Sequence, residues 1–314
     1  MRILVVGAGA IGGYFGGRLL EAGRDVTFLV RPRRAQQLTK SGLVISSPKG
    51  DFHHPQPPIV QAEALREPFD LVLLSCKAYD LDDAIRSIAP AVGPSTAILP
   101  LLNGMHHLDA LERRFGAAAV LGGQCVISVM LDAAGDVVHL NDVANLTFGE
   151  RDGTRSARAK AIGAALAGAR FDSRLSDAIL QLMWDKWVFI AALAGITCLM
   201  RATIGDIVAA NGAELAEALR AECAAIAASN GFASGDKAVK RDRAMLTAPE
   251  SALAASMLRD IERGGLTEVQ HILGDLIRRG NARENPQSLL HVAHVHLLAY
   301  EKRRARTTEI RQGP

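Results

Sequence analysis

The chain is poor in the features that most quickly define a class. Its four cysteines, Cys76, Cys125, Cys198 and Cys223, lie twenty-five residues or more apart and form no CxxC pair. That spacing argues against a zinc site and against a disulfide framework. Aromatic residues make up only 4% of the 314 positions, and 36 basic residues face 33 acidic ones, a net +3. A nucleic-acid binder concentrates basic charge and supplies stacking rings, so no nucleic-acid partner is expected. The longest apolar run, Val188–Met200, has thirteen residues, short of the roughly 20 that span a bilayer, and no membrane partner is expected. The opening Met1-Arg2-Ile3-Leu4-Val5-Val6-Gly7 reaches a glycine loop before a signal core can form, so a cytoplasmic protein is the expectation. With 49% hydrophobic and 22% charged residues, global disorder is excluded, and the length suggests two domains.

What is present begins with alternating strand and helix patterns. Ile3–Val6, Asp25–Val30, Asp70–Cys76 and Thr96–Leu102 are short apolar runs; Ile11–Ala22, Leu81–Ile88 and Leu108–Phe115 carry helical periodicity between them. Continuous apolar strands in a βαβα order predict a parallel sheet covered on both faces. Arg31–Pro58 is polar and proline-bearing, with Leu43–Ile45 and Asp51–Phe52 as a candidate hairpin. Val120–Phe148 changes to consecutive strands around an Ala133-Ala134-Gly135-Asp136 turn, and Ser156–Ala169 returns to helix. Beyond Ser176 the pattern is helical to Glu309, with expected breaks near Gly195, Gly205, Gly212, Gly231–Gly235, Pro249 and Asn281–Pro286. The expectation is an α/β domain over residues 1–174, a parallel sheet with an antiparallel extension, followed by an all-helical domain over 175–314.

Gly7-Ala8-Gly9-Ala10-Ile11-Gly12 is a GxGxxG loop between a strand and a helix, the context that gives the motif its meaning. The first glycine permits the turn, the second lets backbone approach a pyrophosphate, and the third lets helix and strand pack closely. The helix N-terminus then offers N–H groups and a positive dipole end to phosphate. At the end of the second strand, where an NAD site places a carboxylate, the chain has Arg31, then Arg33 and Arg34. A guanidinium suits a 2′-phosphate, so NADP(H) is the expected cofactor. Lys186 lies in Trp184-Asp185-Lys186-Trp187 within a largely apolar helix. A lysine there needs a partner or a polar cavity, and the residues alone leave snorkelling and catalysis both open.

Ser75-Cys76-Lys77-Ala78-Tyr79, Asn103-Gly104-Met105, Trp184–Trp187, Ser256-Met257-Leu258-Arg259-Asp260, Thr267-Glu268-Val269, Gly274 and Arg278-Arg279-Gly280, in this order, resemble the ketopantoate reductase family over essentially the whole chain. The resemblance implies a Rossmann-type N-terminal domain, a helical C-terminal domain and NADPH-dependent reduction of a 2-keto acid, 2-ketopantoate in the type reaction of pantothenate and coenzyme A synthesis. It also implies roles. Gly7, Gly9 and Gly12, with Ala8, Ala10 and Ile11 between them, hold the pyrophosphate; Arg31 meets the 2′-phosphate and Lys77 lies beside the cofactor. Asn103 sits near the nicotinamide, ribose and substrate, Lys186 is the general acid, Ser256 contacts substrate, and Glu268 lies at the substrate and ribose side.

The chain departs from the family where classical members carry substrate-holding asparagines one and two turns after the lysine. Here those positions are Ile190 and Ala194, which share a helix face with residue 186 by their spacing, so a polar binding face is expected to be apolar. Gln270 stands where the family often has Asp. His291, His294 and His296 do not share one helix face, and no metal is expected. His106 follows the Asn103 turn and is placed to line a cleft. The competing readings are a 3-hydroxy acid dehydrogenase, against which the Ser256–Glu268 segment argues, and a non-catalytic NADPH sensor, against which Lys186 and Glu268 argue and for which the asparagines lost at 190 and 194 argue. The alanine-rich C-terminal helices suit packing internally or across a homodimer.

Overall fold

The computed structural model of the chain describes residues 1–280 and 288–311, with side chains to residue 307. The chain divides into two compact units, residues 1–102 with 107–180 and residues 103–106 with 181 onward. The first unit begins with β1 (Arg2–Val6), α1 (Ala10–Glu21), β2 (Asp25–Leu29), α2 (Pro32–Ser41), β3 (Leu43–Ser46), β4 (Phe52–His54) and β5 (Ile59–Val60). It continues through β6 (Leu71–Leu74), α3 (Leu81–Ile88), β7 (Ala97–Pro100), α4 (His106–Phe115), β8 (Gly122–Leu131), β9 (Val137–Gly149), α5 (Ala157–Leu166) and β10 (Asp172–Leu175).

One sheet runs β5-β2-β1-β6-β7, with every pairing parallel. Its central strands are buried along their length: Ile3, Leu4 and Val5 of β1 and Leu71, Val72, Leu73 and Leu74 of β6 are fully covered, which is why they read as unbroken apolar runs. The second sheet runs β10-β9-β3-β4 with β8 on β9. The expected hairpins are both there, β3 antiparallel to β4 and β8 antiparallel to β9 around Gly135 at φ +84. Helix α1 lies against both sheets. A Cβ on Gly16 would come within 2.5 Å of Phe28 in β2, and one on Gly17 within 2.6 Å of Ile45 in β3. Helical glycine costs about 1 kcal/mol relative to alanine, and here that cost is offset by two buried interfaces.

Two elements differ from the sequence-based expectation. The polar stretch after Arg31 contains α2, which buries only Ala35 and Leu38, too thin a stripe to show periodicity. Strand β5 is two residues long and is held by its pairing with Phe28 and Leu29.

The second unit holds α6 (Ile179–Met200), α7 (Ile204–Ala209), α8 (Ala213–Ser229), α9 (Asp236–Leu246), α10 (Ser256–Glu262), a π-type turn over Gln270–Gly274, α11 (Asp275–Arg279) and α12 (Leu289–Arg311). The expected break at Gly195 is absent, and α6 runs through it. A Cβ there would lie 2.7 Å from Leu219 of α8 and 3.6 Å from Ala293 of α12, so the glycine marks a close helix crossing. The break expected near Gly205 is present, between the end of α6 at Met200 and the start of α7 at Ile204, with Gly205 as the second residue of α7. Gly212 precedes α8, and Gly231–Gly235 and Pro249 fall between helices as expected; Asn281–Pro286 lies outside the described residues. Helix α6 is long and apolar enough to cross a membrane by length and composition, but 67% of its most apolar window is buried, as in a core helix. Glu222 of α8 accepts from the backbone N–H groups of Leu289 and Leu290 and from the Ser288 hydroxyl, capping α12 with a carboxylate at its positive end.

Candidate active site

In the first unit the glycine loop is built around a turn at Gly7, φ +90, whose N–H donates to Leu29 O at 2.9 Å. Ser75, just past β6, donates its hydroxyl to Val6 O at 2.9 Å, tying three segments together. At Gly12 a Cβ would fall 2.0 Å from Gly7 O and 2.3 Å from the Ser75 hydroxyl, so no other residue fits. Gly9 is the opposite case. It caps α1 without a side-chain hydrogen bond and with no acid in the first turn, and a Cβ there would meet nothing within 4 Å. A glycine with open space beside it, at an uncapped and uncharged helix N-terminus, fits an approaching pyrophosphate. Arg34 steadies the loop from behind, donating to Ala8 O at 2.9 Å and to Gly135 O at 2.8 Å.

Arg31, which caps α2, is already engaged. Its Nη2 donates to Asp80 Oδ1 at 2.8 Å and to Asp83 Oδ2 at 2.9 Å. These bonds, Asp80 first, push the guanidinium further up, and the Arg31 guanidinium holds the Asp83 carboxyl below its usual range. Neither aspartate was singled out by sequence reasoning. Lys77 is half-buried, three residues past the end of β6, and precedes the short turn Ala78–Asp80.

In the second unit three of the motif segments converge. Trp187 of α6, 1% exposed, donates its indole N–H to Ile272 O at 2.9 Å. Gly104, φ +78, packs where a Cβ would be 3.0 Å from His271 O and 3.6 Å from the Trp187 nitrogen. The His106 and His271 rings meet edge to face at 5.6 Å. The Asn103 turn, the Trp184–Lys186–Trp187 segment and the Glu268–His271 segment therefore share one place. His271 sits at its centre, hydrogen-bonded to the Asn103 backbone and facing Glu268, His106 and Asp275; burial pushes its imidazole down to about 4. Sequence reasoning did not single it out. The π-type turn at Gln270–Gly274 shifts the carbonyl pattern of the helix, a distortion often found at functional sites.

Lys186, Glu268, Asn103 and Ile190 are half-buried. Ala194 is only 1% exposed, packed inside the unit rather than on an open face. Ser256 is exposed at the first position of α10, and the residue before it is tied to α6 by the Ala255 N–H donating to Thr197 Oγ1 at 3.4 Å. Helix α12 holds the segment leading to Glu268. Thr267 donates both its N–H and its hydroxyl to Glu301 at 2.6 Å, Tyr300 donates to Gly265 O at 2.8 Å, and Arg304 donates to Gly264 O at 2.8 Å.

The ketopantoate reductase PanE/ApbA family model matches residues 3–153, and the model of that family's C-terminal part matches residues 178–301. The chain belongs to the ketopantoate reductase family. It is an oxidoreductase of that family, with the family's parallel-sheet domain followed by a helical domain. It is 37% identical over 302 residues to the uncharacterized oxidoreductase YkpB of Bacillus subtilis, covering 96% of this chain and 99% of that one. Among solved structures it is similar to 2-dehydropantoate 2-reductase from Geobacter metallireducens, with TM-score 0.86, 28% identity and coverage of 95% and 99%. The same fold is shared by a D-mandelate dehydrogenase solved with NADH and anilino(oxo)acetate, with TM-score 0.87, 21% identity and coverage of 97% and 99%.

Proposed function

We propose that this chain reduces a 2-keto acid to the 2-hydroxy acid with NADPH, in the manner of a 2-dehydropantoate 2-reductase. The observation that carries the reading is the convergence of the Asn103 turn, the Trp187 neighbour of Lys186 and the Glu268–His271 segment. The glycine loop would hold the pyrophosphate on the first-turn N–H groups of α1, Arg31 the 2′-phosphate, and Lys77 and Asn103 the nicotinamide half. When bound, the dihydronicotinamide supplies a hydride to the carbonyl carbon. The carbonyl oxygen takes the displaced electron pair, and the Lys186 ammonium neutralises it and gives it a proton. Glu268 and Ser256 hold the keto acid.

The favoured substrate carries an apolar branch. Ketopantoate has a hydroxyl, and the Ile190 side chain cannot hydrogen-bond to it. A buried hydroxyl without a partner costs on the order of 1–3 kcal/mol, roughly tenfold to a hundredfold in binding. NADPH oxidation followed against ketopantoate, its hydroxyl-free analogue and other branched 2-keto acids tests both levels. Turnover with none of them, while NADPH still binds, would leave the non-catalytic sensor reading. A clearly higher kcat/KM for ketopantoate would refute the apolar-face argument and leave the ordinary family reaction.

A further inference from the structure

The cofactor reading gives Arg31 one task, yet the residue is shared between two carboxylates that come from a different part of the chain. Asp80 and Asp83 reach it across 49 and 52 residues of sequence, both onto Nη2, at 2.8 and 2.9 Å. Asp80 occupies the N-cap position of α3 but makes no capping hydrogen bond, although aspartate is among the best residues for that purpose. Its carboxylate is spent on Arg31 instead. Asp83 also meets Arg86 at 3.3 Å, so that acid does not depend on Arg31 alone for neutralisation.

We infer that Asp80 and Asp83 set the cofactor preference by competing with the 2′-phosphate for Arg31. This rests on the assignment of Arg31 to the 2′-phosphate. A nicotinamide dinucleotide site that prefers NAD(H) places a carboxylate to accept from the ribose 2′-hydroxyl and to repel a 2′-phosphate. The end of β2 supplies no such acid here. The turn after β6 supplies Asp80 and the first turn of α3 supplies Asp83, both held at the arginine that would otherwise select the phosphate. A 2′-phosphate, with nearly two negative charges, must displace or share Nη2 and sit beside both carboxylates, with only Nε and Nη1 unclaimed by them. A 2′-hydroxyl meets no such opposition and can donate to Asp80. The chain therefore discriminates between NADPH and NADH far less than Arg31 alone would.

The test is cofactor binding to the full chain, measured for NADPH and NADH by fluorescence titration without any keto acid. Asp80→Asn with Asp83→Asn keeps the shape of both residues, and asparagine at 80 still suits an N-cap. The pairs are exposed, so the fold should be retained. The double variant is expected to bind NADPH about tenfold more tightly, while NADH binding stays within about twofold or weakens. Unchanged or weaker NADPH binding in the double variant would overturn the inference, because the acids would then only orient the guanidinium. Arg31→Ala separates the two levels. If it weakens NADPH and the double variant does not tighten it, the inference alone fails. If Arg31→Ala leaves NADPH binding unchanged, the assignment of Arg31 fails and takes the inference with it.

Discussion

Replacing Trp187 with phenylalanine should loosen the centre of the second unit, and the structure says by how much. The side chain is 1% exposed, so its loss is felt in full. Phenylalanine keeps an aromatic ring against Trp184, now 4.9 Å away, but removes the donor to Ile272 O. A buried carbonyl deprived of that donor costs about 1–3 kcal/mol, and the smaller ring leaves a void worth about 1 kcal/mol more. The sum is about 2–4 kcal/mol. Trp184→Phe is the matched control. Trp184 stacks on Phe232 at 5.3 Å, so that variant carries the volume loss and should cost about 1 kcal/mol. Urea unfolding followed by far-ultraviolet circular dichroism reads both, and a midpoint shift at constant slope reports stability alone. Because the carbonyl belongs to the π-type turn after Glu268, Trp187→Phe should also lower kcat/KM while Trp184→Phe leaves it nearly unchanged. If the two variants destabilise equally, the indole hydrogen bond does not hold the turn and the reasoning is wrong.

Lys186→Ala should lower kcat by roughly 10²–10⁴ while NADPH still binds; near-normal turnover in steady-state assays would remove the lysine from the chemistry. Ile190→Asn should shift the ratio of kcat/KM toward ketopantoate by about tenfold relative to its hydroxyl-free analogue, and an unchanged ratio would show that residue 190 does not face the substrate. The companion change at Ala194 is the poorer test, since an asparagine there must enter a packed interior. His271, held down at about 4 against an ordinary 6.5, binds its proton more readily unfolded than folded. Its contribution is complete above about pH 6.5 and is lost as pH falls toward 4. His271→Gln should therefore flatten the stability profile of the chain across that window, as read by denaturation at successive pH values.

Much of the fold was legible because burial on both faces leaves a simple record. Ile3–Val6 and Leu71–Leu74 are apolar without interruption because the sheet is covered on each side, and the β8–β9 turn shows itself through Gly135. Helix α2 escaped because only Ala35 and Leu38 are buried. Gly195 misled because a glycine that breaks a helix and one that admits a neighbouring helix are the same letter; Leu219 and Ala293 decide between them. In the site, the glycine loop was readable since its constraints are local. Asp80 and Asp83 were not, because their tie to Arg31 spans half a hundred residues. His271 was hidden for a related reason: its character comes from Asn103, Glu268 and His106 folding around it, and the π-type turn that presents it has no signature in composition.

The anchoring of Glu268 by α12 also orders events during synthesis. The sheets of the first unit are complete once β10 has emerged, and a nascent chain folds its N-terminal elements first. The glycine loop can thus be formed while the ribosome is still translating the second half. Thr267, Gly265 and Gly264 then wait for Glu301, Tyr300 and Arg304, among the last residues made. A ribosome-bound chain stalled before residue 300 should already bind dinucleotide yet hold the Glu268 segment loosely. Competence to hold the cofactor would precede competence to act on a substrate, and the final turns of one helix would mark the change.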